Sequence, residues 1–218
     1  MRRRPGRHLL YALCALVLAF VLWEAFALVR AHERTPAALA TARSGELQPS
    51  DLPPQRKAML LKVEDPGFYE HRGVDFSTPG QGATTITQAL VKRLYFDRGF
   101  KPGFAKIEQS LIARFVFDPA LSKDEQLRAY LNHAYFGRAG GRQLTGYAAA
   151  ARTYHGREFR QLSDEQFLSL VAMTIAPNEL SPLRHAEANR ERVRRIQKML
   201  TGKCAPTAVR DVRYASCA

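Results

Sequence analysis

Cysteine and tryptophan are scarce in this 218-residue chain, with three copies of the first and one of the second. Cys14 lies in an apolar run near the N-terminus. Cys204 and Cys217 stand near the C-terminus without ligand partners at metal-binding spacing, which argues against zinc. Also missing are a Gly-x-Ser-x-Gly nucleophile turn and a Walker-type loop, so hydrolase and nucleotide-dependent readings have no support. No stretch alternates apolar and polar residues as a half-buried strand does, and no internal repeat appears. Acidic residues are outnumbered, 20 against 33 Lys and Arg, for a net charge of +13. Such a surplus points to an acidic partner: nucleic acid, phospholipid headgroups or a pyrophosphate-bearing substrate. An apolar content of 46% is enough for a real core, so disorder is excluded.

What is present begins with Arg2, Arg3, Arg4 and Arg7, a basic tail over residues 1–8. An apolar run over 9–29 follows, close to the ~20 residues a spanning helix needs. It is long for a cleavable signal peptide, so an uncleaved single-pass anchor is expected. Arginines on its N-terminal side predict a cytoplasmic N-terminus and an exported domain, in contact with membrane lipids. An exported domain argues against nucleic acid as the partner. It also predicts a Cys204–Cys217 disulfide in the 202–218 tail.

Residues 30–50 show no clean period and read as a stalk. From residue 51 to 201 the pattern is helical almost throughout. Met59, Leu60 and Val63 mark a helix that Pro66-Gly67 stops, leaving Glu64 at its C-terminal end. Thr85/Gln88, Ser122/Glu125 and Ser163/Gln166 have capping-box spacing before apolar runs. Residues 137–146 read as a glycine-bearing loop, and a last helix spans 186–200, closed by Gly202. The fold class is all-α.

Two segments concentrate chemistry. Glu64-Asp65-Pro66-Gly67-Phe68-Tyr69-Glu70-His71-Arg72-Gly73 packs carboxylates and a histidine around a backbone break, and Gly82-Ala83-Thr84-Thr85-Ile86-Thr87-Gln88 opens a helix. Together they resemble the opening motifs of the family 51 glycosyltransferases, which polymerise peptidoglycan from lipid II. Ser122-Lys123-Asp124-Glu125 with Tyr130-Leu131-Asn132, and Ala176-Pro177-Asn178 with Ser181-Pro182, extend the resemblance over about residues 57–200.

The resemblance implies a lysozyme-like glycosyltransferase domain held at a bacterial inner membrane and facing the periplasm. It implies Glu64 as general base, releasing undecaprenyl pyrophosphate, with lipid II and the nascent glycan strand as partners beside other cell-wall synthesis proteins. Glu108 is the expected second carboxylate, organising the pyrophosphate directly or through a divalent cation (Mg or Mn). Lys92, Arg98 and Lys106 are the expected diphosphate cradle, with Thr84, Thr85 and Gln88 as donors at the helix start. Asp65 belongs to the same substrate-binding set. His71 is placed in that set too, and the resemblance gives it a loop-holding role beside Glu64.

The chain departs from the pattern at Ala83, at Ala89, and around Lys106, where a basic pair is reduced to one residue. Only five residues separate Asp75 from Gln81, where the family carries a longer, mobile segment. Short products are the expectation from that loss. The alternative is a catalytically weak relative that binds lipid II or glycan and regulates wall assembly. The tail beyond Leu200 is too short for a transpeptidase domain, so a monofunctional enzyme is expected.

Overall fold

The computed structural model describes residues 5–96 and 99–218. After α1 (Pro5–Ala42) come α2 (Pro54–Glu64), α3 (Ile86–Tyr95), α4 (Phe104–Ile112) and a π-helical stretch (Ala113–Phe117) running into the short α5 (Asp118–Ala120). Then follow α6 (Lys123–His133), a hairpin of β1 (Tyr135–Ala139) and β2 (Arg142–Thr145), α7 (Tyr147–His155), α8 (Asp164–Met173) and α9 (Ala186–Leu200). The fold is all-α but for that hairpin.

In the first half of α1, large apolar side chains such as Leu13, Leu16, Leu22 and Phe26 are exposed. By length and composition the helix from His8 onward is able to cross a membrane. Residues 30–42, expected as a stalk, continue the same helix. Ala31, Thr35, Ala38 and Ala42 recur at three- and four-residue spacing and are buried on the side that meets α3, α4 and α6. Tyr95 and Thr35 hydroxyls bond at 3.0 Å, and Arg34 donates to the Tyr95 carbonyl at 3.0 Å. Alanine is equally at home on a surface and in a close helix contact, which hid this stripe in the sequence.

The core is organised around α8, buried without interruption from Phe167 to Met173 and packed on α2, α7 and α9. A helix apolar all round must be central. Phe136, Tyr147, Phe159 and Phe167 form an aromatic cluster beside it, the first pair in edge contact at 4.7 Å between ring centres. All three capping boxes form, with Thr85, Ser122 and Ser163 each accepting from the amide three residues on.

The hairpin corrects the loop expected at 137–146. Ala139 pairs with Arg142 across Gly140 and Gly141, whose φ of 56° and 77° are the left-handed values of a type I′ turn. Strands of five and four residues are too short to show alternation; the Gly-Gly pair was the available signal.

Candidate active site

The last residue of α2 is Glu64, and the loop after it is stapled to the start of α3 by Asp65. The Asp65 side chain is fully buried; one oxygen accepts the Ile86 amide at 2.8 Å and the other meets His71 Nε2 at 2.9 Å. Because His71 Nδ1 accepts the Gly73 amide at 3.1 Å, the ring proton sits on Nε2 and is donated to Asp65. Thr85 closes the same junction by donating to the Gly73 carbonyl at 2.7 Å. Asp65, His71 and Thr85 therefore hold a turn.

Glu64 itself is half-buried. One carboxylate oxygen accepts the Tyr130 hydroxyl of α6 at 2.8 Å, the other the hydroxyl of Thr174, just past α8, at 2.5 Å. Removal from water pushes its pKa above the ordinary carboxylate value. The two hydroxyls and the nearby Arg192 charge pull the other way, and Asp65 adds to the rise. Tyr130 and Tyr147 are driven well above the usual phenol range, first by burial and then by the Glu64 charge, so both stay protonated donors. The Tyr147 hydroxyl is buried behind this pair, beside Tyr130.

Glu64, Tyr130 and Thr174 open on a cleft of about 880 Å³. The cleft is also lined by Lys92, Arg93, Lys106 and Thr84. Lys106 donates to the Thr84 hydroxyl at 2.9 Å. Burial, helped by the charge of Lys92, brings its pKa down to about 8. Lys92 is exposed and lies 5.0 Å from the Phe100 ring centre. Among the described residues, the desolvated Glu64 carboxylate thus shares the cavity with Lys92, Arg93 and Lys106, an arrangement suited to taking a proton from a neutral hydroxyl while holding an anion.

A family model described as Transglycosylase matches residues 33–201. The chain belongs to the transglycosylase family. The match takes in the last ten residues of α1, with the buried Thr35, Ala38 and Ala42, and ends one residue beyond α9. Among similar proteins, penicillin-binding protein 1B of Vibrio cholerae is 32% identical over 154 residues, covering 65% of this chain and 20% of that protein. Penicillin-binding protein 1B of Escherichia coli is 31% identical over 156 residues, covering 65% and 18%. The chain thus spans about a fifth of the length of these relatives. A provisionally named transglycosylase of Cupriavidus necator is 30% identical over 205 residues, covering 85% of this chain and 86% of that one.

Within this transglycosylase domain, several expected site residues have other places. Gln88 is buried, its side chain tied to the Thr85 amide and to Ser110, so it braces α3 against α4 and does not reach the cleft. Arg98 lies outside the described residues. Glu108 is absent from the cleft lining. On α4 the positions turned to α3 and the cleft are Lys106, Gln109 and Ser110, whereas Glu108 lies on the side near Glu24 of α1. Helical geometry is the reason: two residues on from Lys106 is about 200° round the helix. Among the described residues Glu64 is the one carboxylate in the lining and no group of three His, Cys, Asp or Glu is gathered, so these residues by themselves do not make a divalent-cation site. Sequence reasoning missed Thr174, Arg93 and Arg192, and took Tyr130 for scaffold. The Tyr130-Leu131-Asn132 motif was a signal for Tyr130; nothing local marked the others.

Proposed function

We propose that this chain is a peptidoglycan glycosyltransferase acting on lipid II, with Glu64 as general base. The observation that carries the reading is the half-buried Glu64 carboxylate, raised by burial and oriented by Tyr130 and Thr174 in a cleft with three cations. Glu64 takes the proton from the attacking sugar hydroxyl. As the bond from the second sugar to the lipid diphosphate breaks, Lys92, Arg93 and Lys106 offset the charge that collects on the leaving undecaprenyl pyrophosphate.

Placement at the inner membrane is part of the reading. Phe104, at the start of α4, lies 5.6 Å from Phe20 of the spanning helix, and Phe104, Ile107 and Phe115 are exposed, so an apolar face continues the lipid-facing surface. The arginines before the span favour a cytoplasmic N-terminus and a periplasmic cleft.

Glu108's position outside the cleft and the short Asp75–Gln81 loop favour a second reading, a weak relative that retains lipid II without joining it. Gel separation of products from labelled lipid II distinguishes the two. The enzyme gives glycan ladders, and Glu64→Gln cuts their formation at least ~100-fold while binding changes little. An unreacted pool at saturating wild-type protein, or full activity in Glu64→Gln, would reject the base assignment.

A further inference from the structure

The Asp75–Gln81 loop does not stand alone. Asp75 fastens it locally by accepting the Ser77 and Thr78 amides at 2.8 and 3.1 Å. The rest of its support comes from the opposite end of the chain. Gly80 and Gly82 donate their amides to the carbonyls of Ala208 and Val209 at 3.0 and 2.7 Å. The approach is close enough that a Cβ on Gly80 would meet Pro206 at 2.9 Å, and one on Gly82 would meet Val212 at 2.7 Å.

The same tail then reaches behind the catalytic carboxylate. Val212 lines the cleft, and its carbonyl accepts Arg192 Nη1 at 2.5 Å. Arg192 Nε donates to the Ala172 carbonyl at 2.9 Å, and its guanidinium lies over the Tyr214 ring. The Tyr214 hydroxyl donates to the carbonyl of Val63, the residue before Glu64, at 3.1 Å. Tyr214 holds φ of 52°, the one non-glycine left-handed backbone among the described residues, while its side chain is buried. Strain of this kind persists only where surrounding contacts fix it. A disulfide between Cys204 and Cys217, Cα atoms 5.5 Å apart, closes the segment.

We propose that the disulfide-closed segment 204–217 is a positioning element of the catalytic cleft, clamping the Gly80–Gly82 loop and holding Arg192 and the Val63–Glu64 backbone in register. The groups bearing on Glu64 are Asp65 beside it, Tyr130 on α6, Tyr147 on α7, Arg192 on α9 and Tyr214 in the tail. Arg192 is the one cation among them, and the tail carbonyl of Val212 helps to hold it. Freeing the tail lets Arg192 move away, so Glu64 protonates more readily and the acid limb of the rate profile moves to higher pH.

The test uses the full chain in detergent with labelled lipid II, comparing oxidised and reduced wild type, Cys204→Ser/Cys217→Ser and Tyr214→Phe. Reduction and the double variant should lower kcat about 10-fold, within the ~100-fold that a 1 Å misplacement costs. KM should change little, and the acid limb should move up by about one pH unit. Tyr214→Phe, which keeps the disulfide and the ring, should move the limb in the same direction by less. The Gly80 and Gly82 amides should exchange faster once the disulfide is open. Unchanged exchange, an unmoved acid limb, or a uniform loss at every pH would overturn the proposal. Because it rests on Glu64 as the base, Glu64→Gln is assayed alongside. An active Glu64→Gln protein overturns that base reading, whereas an inactive one beside an indifferent double variant overturns the tail proposal alone.

Discussion

Burial that suits Glu64 to proton transfer has a cost in folding. Its carboxyl is raised in the folded protein, so ionisation at neutral pH opposes the native state, and that cost fades as pH falls through the raised value toward the ordinary carboxylate range. Glu64→Gln should therefore raise Tm at pH 7 by about 2–4 °C, the shift that ~1 kcal/mol produces in a chain of this size, with no gain near pH 4. Calorimetry at the two pH values checks this; a lower Tm at pH 7 would mean the two hydroxyl contacts outweigh desolvation. Glu64 was legible in the sequence because it stands in a dense local motif. Its partners were not, since Tyr130 and Thr174 lie 66 and 110 residues further along and meet it only through the packing of α2, α6 and α8. His71, expected among the substrate-binding residues with a loop-holding role, has its two ring contacts within the turn, to Asp65 and to the Gly73 amide.

Helix register decides what α4 contributes. Lys106, Gln109 and Ser110 share one face, and Glu108 falls on another. Motif spacing in the sequence pointed to a glutamate near this position, but only the three-dimensional face separates 106 from 108. The capping residues of α3, α6 and α8 were readable because capping is local, and the hairpin was not, because its strands are short. Lys106, with its pKa near 8, is charged below that pH and neutral above it. Pyrophosphate binding by the free protein should thus weaken about 10-fold between pH 7 and 9, the equivalent of one charge-assisted hydrogen bond. Lys106→Arg stays charged and should give a flat profile in the same titration. An equal loss in both proteins would assign the alkaline limb to another group.

On the scale of the whole molecule, α1 belongs to two environments at once. Its first half presents apolar side chains outward, while Ala31, Thr35, Ala38 and Ala42 are part of the domain's interior. Deleting residues 1–29 should leave the thermal transition of the remaining domain unchanged, whereas deleting 1–42 should lower Tm by roughly 5–10 °C through lost helix packing and the Thr35–Tyr95 bond. Equal transitions would show that the second half of α1 is dispensable to the fold. A helix of 38 residues is about 57 Å long, nearly twice the ~30 Å hydrocarbon thickness. The helix runs continuously from the part that spans into the part that packs, with its internal proline, Pro36, inside the packed part. The catalytic domain is therefore moored to the bilayer by one of its own structural helices, and a tilt of the spanning part carries the cleft along with it.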